Sequence, residues 1–435
     1  MSSLSRWPEM VRKHPLIKNI SIYLLINVFA SLFPFLILPF ITRLVLPADY
    51  GVYAIFLVGI NILMPVIGIG METAIGRRFI DKDKIDFMSY ISTALLLSAV
   101  LSLIAFTLLK YLANSIEHII PVPETWFWVW VLTAWSQNII SLVLVLNQMR
   151  NKPLEYGKWR ISRAICLNTL LIGTILLGFS SWTNLITVVL CTNIILALAS
   201  IFWLSRHGFL FGKISSIHLS DILKYGGPLV PHMIGAAVVT ATDRILLTNL
   251  ISDSATGIYT VGYQAGLAMF LFGQSVTKAW TPWCYNKLEE GTTDAFTSVV
   301  RVGYIILVLY IIAGAALTTV GWFILPIIFG SNYETSIPVF AFIVAAFTAH
   351  GLWSLSSSYL YYSGDTILIS FSSIGAAILN IGFSYVLISV NGIVGAAQGT
   401  LTAYAISFII VTIIVIKKSP LTLSPSLAFN YTNRS

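Results

Sequence analysis

The chain has 435 residues, of which 57% are hydrophobic and only 10% charged, and its formal net charge is +8. A soluble domain carries about 25% charged residues, whereas apolar runs of about 20 residues match the roughly 30 Å hydrocarbon layer of a bilayer. These numbers exclude a soluble globular fold; the lack of alternating segments of about ten residues excludes a β-barrel, and basic residues scattered over short loops require no nucleic acid partner.

In chain order, Arg6, Arg12, Lys13 and Lys18 precede a long apolar run. No short apolar core followed by small cleavage residues is present there, so the first helix is read as a permanent span rather than a cleavable signal. Hydropathy then predicts spans over 17–46, 52–71, 87–111, 126–147, 161–179 and 182–204. The second set covers 222–250, 257–281, 302–326, 337–362, 366–390 and 393–416. The fold class expected is an all-α polytopic membrane protein with about 12 transmembrane helices. Six fall in an N-terminal lobe, 1–215, and six in a C-terminal lobe, 216–435.

Twenty-two of the 25 Lys and Arg residues fall in the tails and alternate loops of one side. The loop after span two carries Arg77, Arg78, Lys82 and Lys84, and the loop after span four Arg150, Lys152, Lys158, Arg160 and Arg163. Arg206, Lys213 and Lys224 follow span six; Lys278, Lys287 and Arg301 surround the loop after span eight. Lys417, Lys418 and Arg434 are in the C-terminal tail. The turn Ser363-Gly364-Asp365 is the one loop on that side without a basic residue. The positive-inside bias places both termini in the cytoplasm. The outer loops are short, the longest being about 14 residues near 112–125,. Trp126, Trp128 and Trp130 at one interface, and Trp280 and Trp283 at the other, are expected to form aromatic belts.

No phosphate-binding loop, metal-spaced histidine set or catalytic triad occurs, and Cys166, Cys191 and Cys284 are isolated,. The chain reads as a carrier rather than an enzyme, with no cofactor and no metal. Its informative residues are the exceptions to the charge pattern: Arg43, Lys110 and Arg244, within or at the ends of apolar spans. An Arg near the centre of a span costs about 2.5–3.5 kcal/mol on insertion scales and faces a cavity or a partner. At the end of a span it can instead snorkel to the interface. Both readings stand for Arg43, whereas Lys110 is expected to snorkel. Asp243, beside Arg244, is a candidate for charge pairing, with Arg43 as one partner, or for a coupling proton or cation. Glu72, near the inner end of span two, is the other acidic candidate, with Arg77 or Lys278 as partner.

An internal repeat links the two halves. Thr42-Arg43 is followed eight residues on by Gly51-Val52-Tyr53, and Asp243-Arg244 thirteen residues on by Gly257-Ile258-Tyr259. The difference in spacing predicts a longer turn in the second half. Both leading spans carry two prolines, Pro34 and Pro39 in one and Pro228 and Pro231 in the other, and are expected to bend. Pro65, Gly68 and Gly70 in span two are expected to permit close helix packing. Asn27, Tyr263, Gln264 and Gln274 are polar or aromatic candidates to line a substrate path.

These residues carry a resemblance. Pro39-Phe40-Ile41-Thr42-Arg43-Leu44 followed by Pro47-Ala48-Asp49-Tyr50-Gly51 resembles the first-helix signature of polysaccharide biosynthesis flippases. Gly68-x-Gly70 with Ala74-Ile75-x-Arg77-Arg78-Phe79 is similar to the end of that family's second helix. Lys224 through His232, then Asp243-Arg244, resembles its seventh helix, and Gly257 through Tyr263 its eighth. The resemblance implies the multidrug/oligosaccharidyl-lipid/polysaccharide exporter superfamily, with two six-helix lobes around a central cavity. It implies flipping of undecaprenyl-pyrophosphate-linked O-antigen, capsule or exopolysaccharide repeat units across the bacterial inner membrane, driven by an ion gradient. A polysaccharide polymerase and a chain-length regulator are the implied protein partners. On this reading Arg43 and Arg244 bind the pyrophosphate, since the Arg fork bonds phosphate oxygens in pairs. The alternatives are a multidrug exporter of the same superfamily and an O-antigen polymerase or membrane glycosyltransferase. Mostly basic intramembrane charge speaks against the first, short outer loops against the second.

Overall fold

The computed structural model describes residues 15–79, 82–118, 120–363 and 365–419. Arg6, Arg12, Lys13, Gly364 and Arg434, which entered the topology argument, lie outside the described residues. Packing divides the chain into two compact units, Met1–Ala241 and Thr242–Ser435.

The first unit holds α1 (Pro15–Leu44), α2 (Pro47–Gly68), the short α3 (Met71–Arg78) and α4 (Phe87–Tyr111). A one-turn α5 (Ala113–Glu117) precedes α6 (Phe127–Met149), α7 (Pro153–Leu176), α8 (Trp182–Arg206) and α9 (Ser216–Gly226). Local chemistry sets several of these starts. Pro47 and Pro153 sit at the first helical position, where a missing N–H costs nothing,. Asp86 caps α4 by accepting from the Ser89 backbone N–H at 3.1 Å,. α2 ends where Ile69 and Gly70 adopt positive φ, 42° and 66°. A Cβ on Gly70 would meet the Gly226 Cα at 3.0 Å, so only glycine fits both the turn and the approach of α9,.

α6 is buried along most of its length and packs on α2, α4 and α8. The expected close packing by the second span holds for Gly68, whose missing Cβ makes room for the Asn138 side chain of α6. Asn138 in turn donates to the Met64 carbonyl at 3.0 Å. Trp130 is not a belt residue: it is fully buried, with Nε1 donating to the Phe56 carbonyl at 2.8 Å. Trp128 alone of its group is widely exposed, and Trp126 packs on Trp182. Met71, Ile75, Tyr90, Leu142, Leu204 and Ile222 meet in one apolar cluster, which docks the inward face of α9.

The unit boundary falls within α10 (Leu229–Leu250). The second unit continues with α11 (Asp253–Glu289), α12 (Thr293–Ile328), α13 (Ser336–Tyr362) and α14 (Thr366–Lys418). Ser252 and Thr292 cap α11 and α12 through their side-chain oxygens,. Gly392, at φ 58° and ψ −136°, breaks α14 into two arms of about 26 residues,. Gly395 and Gly399 let the second arm approach the backbone of Leu387 and Ser384 in the first,. α13 packs on α11, α12 and α14. Trp280 is again a core residue, buried with Nε1 on Ser358 Oγ at 3.1 Å.

Eight helices among the described residues are long and apolar enough to cross a membrane. α7, α10 and α11 match them in length but carry interior charge, and Gly392 makes two spans of α14. The chain is therefore a helical multi-pass membrane protein with about twelve spans. Two expectations need correction. Pro228 and Pro231 do not bend a span: α9 ends at Gly226, Pro228 precedes α10, and Pro231 lies in its first turn, where proline is tolerated,. Only Pro34 and Pro39, inside α1, are interior as expected. The fifth span starts at Pro153, eight residues before the expected 161, so Arg160 and Arg163 are helical rather than loop residues.

Candidate functional site

Asp243 is the focus of the second unit. It is buried at 5% exposure, and three hydroxyls donate to its carboxylate. Tyr259 Oη of α11 donates to Oδ2 at 2.6 Å, and Thr400 Oγ1 of the second arm of α14 to the same oxygen at 2.7 Å. Ser384 Oγ of the first arm donates to Oδ1 at 2.8 Å. Asn380 Nδ2 supports the cage by donating to Thr400 Oγ1 at 3.1 Å, while its own Oδ1 is buried without a hydrogen-bond partner among the described residues.

Helix register explains why these side chains meet. Asp243 is seven residues from the end of α10 and Tyr259 six from the start of α11. Ser384 and Thr400 each stand eight residues from Gly392. At about 1.5 Å per residue all four lie roughly 10 Å from the same loop end. Asn380 and Ser384 share a face of their arm at i, i+4. Tyr259 is the Tyr of the second Gly-x-Tyr repeat, and in α2 the corresponding Tyr53 is also buried.

Arg244 turns elsewhere, because successive helical residues point about 100° apart. It is half-buried, with its guanidinium 4.6 Å from the centre of the Tyr263 ring and 6.0 Å from that of Tyr259. This is cation–π geometry. Tyr263, expected on the substrate path, is thus bound to the candidate cation. Gln264 is half-buried and Gln274 exposed.

The repeat is corrected in one respect. Both turns have two residues, Val45–Leu46 and Ile251–Ser252, so the second is not longer. Gly51-Val52-Tyr53 and Gly257-Ile258-Tyr259 occupy the fifth to seventh positions of their helices and do correspond. The five extra residues lie within α10. Arg43 is the penultimate residue of α1, whereas Arg244 is six residues from the end of α10, about 7.5 Å deeper,. Arg43 is exposed, next to the exposed Leu44. Lys110, one residue from the end of α4, pairs with Glu124 at 3.5 Å.

Glu72 lies in the first turn of α3, where the helix dipole favours a negative charge,. Within its own unit Arg77 is not its partner. The Ser141 hydroxyl of α6 bonds it, and Arg163 of α7 is its positive neighbour. Arg77 stands over the Tyr225 ring at 4.7 Å. Asn27 accepts from Tyr156 Oη at 3.1 Å, joining α1 to α7. Sequence reasoning missed Asn380, Ser384, Thr400, Ser141 and Arg163. The available signals were Asn380 and Ser384 one helical turn apart in an apolar span, and the Gly395-x-x-x-Gly399 run beside Thr400.

Comparison with known proteins agrees with this architecture. The lipid II flippase MurJ in an inward closed conformation superposes with a TM-score of 0.73 at 14% identity, covering 92% of this chain and 88% of that one. The MATE multidrug transporter DinF-BH in complex with R6G gives a TM-score of 0.62 at 14% identity, covering 93% and 95%. The fold is that of the multidrug/oligosaccharidyl-lipid/polysaccharide exporter transporters. An uncharacterized membrane protein of Haemophilus influenzae is 25% identical over 285 residues, 64% of this chain and 67% of its own length. Residues 40–338 match the family model described as polysaccharide biosynthesis protein, and the chain belongs to that family.

Proposed function

We propose that the chain flips a lipid-linked oligosaccharide, an undecaprenyl-pyrophosphate-linked O-antigen, capsule or exopolysaccharide repeat unit, from the cytoplasmic to the periplasmic leaflet. On this reading it resides in the bacterial inner membrane with both termini cytoplasmic, supported by the one-sided distribution of its Lys and Arg residues,. A polymerase and a chain-length regulator would then take its product.

The observation that carries the proposal is the division of labour between adjacent residues of α10. Arg244 presents a guanidinium held against two tyrosines, suited to phosphate oxygens,. Asp243 presents a carboxylate that hydroxyls share and that no cation among the described residues bonds directly. Carboxylate, hydroxyl and the Asn380 amide oxygen are all hard oxygen donors, the set that takes a proton or a small metal cation. Burial makes the unneutralised charge costly, so an entering cation is held firmly there. Coupling at Asp243 would let an ion gradient drive the movement of an anionic substrate bound near Arg244. Arg43, at the exposed end of α1, would meet the pyrophosphate as it reaches the interface, and Glu72 would hold Arg163 in place by charge pairing.

Complementation of a strain lacking its own flippase tests this. Arg244→Gln is expected to abolish surface polysaccharide and Arg43→Gln to reduce it. Normal surface polysaccharide in the Arg43→Gln, Arg244→Gln double variant would sink the assignment.

A further inference from the structure

The second unit contains a cavity that ion coupling and phosphate binding do not use. α11, α12, α13 and the second arm of α14 surround about 200 Å³ of free space. Trp280, Val300, Leu307, Leu355 and Phe408 give it an apolar wall. Of the polar groups there, Ser356 Oγ and Thr412 Oγ1 lie 3.0 Å apart, Trp280 Nε1 is bonded to Ser358, and Tyr359 Oη reaches the Lys418 carbonyl at 3.5 Å. A water needs two to four polar partners, and an apolar cavity of about 150 Å³ stays dry and takes up small hydrocarbons. This cavity is larger and has the same kind of wall.

The cavity also has a way in. α11 and α13 pack on each other and on both α12 and α14, whereas α12 and α14 do not pack closely together. The weak contact between α12 and α14 leaves a seam between two helices that both line the cavity. On the two helices beside the gap, Ile305, Val308, Ile409 and Ile413 are exposed apolar side chains, the surface a helix offers to lipid tails,. Arg301, between the lining residues Val300 and Gly303, and Lys417, two residues beyond Val415, put positive charge at one end of the opening.

From this geometry we propose that the cavity is a lipid site. It admits one hydrocarbon chain of an anionic membrane lipid through the gap between α12 and α14, with the headgroup at the end marked by Arg301 and Lys417. Two sources share this chemistry: the acyl chain of an anionic phospholipid, and the prenyl chain of a lipid pyrophosphate. Only the second rests on the proposed transport function.

Photolabelling of the full chain in vesicles of phosphatidylethanolamine and phosphatidylglycerol separates them. One arm adds phosphatidylglycerol with a diazirine in its acyl chain, the other a polyprenyl pyrophosphate with a diazirine in its prenyl chain. The expected result is label on residues 300–307 and 408–415 in at least one arm, and the labelled arm names the source. Label from phosphatidylglycerol alone supports the site without bearing on flipping. Gly303→Phe directs a ring into the space and is expected to lower labelling about tenfold. Leu355→Trp fills the cavity from α13 and provides a second blocked variant, each variant being checked for unchanged elution and melting midpoint. Absence of label from both segments in both arms overturns the proposal, as does undiminished labelling in a folded, blocked variant.

Discussion

Two carboxylates in this chain each hold a tyrosine hydroxyl, and they differ in what else they hold. Asp221 of α9 accepts from Tyr90 Oη at 2.9 Å and from Arg78, whose Nε donates at 2.9 Å and whose Nη2 completes the fork. Asp243 of α10 accepts from Tyr259 and then from two more hydroxyls. Each carboxylate has three donors, so neither is short of hydrogen bonds. In the first, a fixed guanidinium cancels the charge, and the result is a tie that anchors α9. In the second, hydroxyls share the charge and no cation among the described residues is bonded to it, which on the proposed reading leaves a place for a coupling cation. On the proposed reading the difference separates a structural acid from a working one.

The sharpest test removes the charge from each acid while keeping its shape. Asp243→Asn is expected to lower ion-driven transport in reconstituted vesicles by about 100-fold, the upper range for coupling between two ligands. Asp221→Asn should leave the ion dependence of transport unchanged. Equal losses of coupling in the two variants would erase the distinction. Ser384→Ala and Thr400→Ala each remove one cage hydroxyl, and each should shift the coupling about tenfold, the equivalent of one net hydrogen bond: a metal cation loses an oxygen donor and needs a higher concentration for half-maximal transport, whereas a proton no longer competes with that bond to the ionised carboxylate and needs a lower one.

Asp221 should instead show itself in stability. Asp221→Ala is expected to cost about 1.5 kcal/mol, because the pair is partly exposed and the hydrogen bonds to Arg78 are charge-assisted. In a double-mutant cycle, Arg78→Ala with Asp221→Ala should cost less than the sum of the two singles. Additive losses by thermal unfolding would mean that the fork contributes nothing. The acid side of the pH profile gives a gentler version of the same test. The Arg78 fork, helped by the Tyr90 hydroxyl, holds the Asp221 carboxyl below the usual carboxylate range. A group lowered in this way contributes stability above its unfolded value of about 3.9 and loses it as pH falls through the folded value. The contribution of Asp221 should therefore be flat between about pH 7 and pH 5, begin to fall near about pH 4 and vanish only as pH passes below the lowered folded value. The Asp221→Asn variant should lack that part of the acid limb, whereas Asp86, lowered by its bonds to Ser89, still titrates in both proteins.

The spans were legible because a bilayer demands a continuous apolar run, a constraint written residue by residue. Their edges were less so. Arg160 and Arg163 looked like loop residues by charge alone, yet both are half-buried within α7, and Arg163 neighbours Glu72. Trp130 and Trp280 looked like belt residues because an indole near the end of a span suits an interface; only tertiary structure offered the Phe56 carbonyl and the Ser358 hydroxyl that hold them inside. For the candidate site, Asp243 and Arg244 stood out as charges in apolar sequence. Ser384, Thr400 and Asn380 did not, since hydroxyls and amides are ordinary in membrane helices and the break at Gly392 decides which of them converge. The Arg43–Arg244 match failed by five residues because the motif repeats in the second helix of each pair and not in the first.

Lys110 supplies the smallest expected effect and a lower limit for the comparison. Its ammonium pairs with Glu124 at 3.5 Å, with both side chains more than 40% exposed. Water and salt screen such a pair, and the long lysine chain loses rotamer freedom in forming it, so the net value is about 0–1 kcal/mol. Lys110→Gln should therefore leave the melting midpoint and transport close to wild type, and added salt should not separate the two proteins. A loss as large as that of Asp221→Ala would show that charge pairing at the membrane surface matters as much as a bidentate fork, and exposure would then no longer explain why the three acids differ.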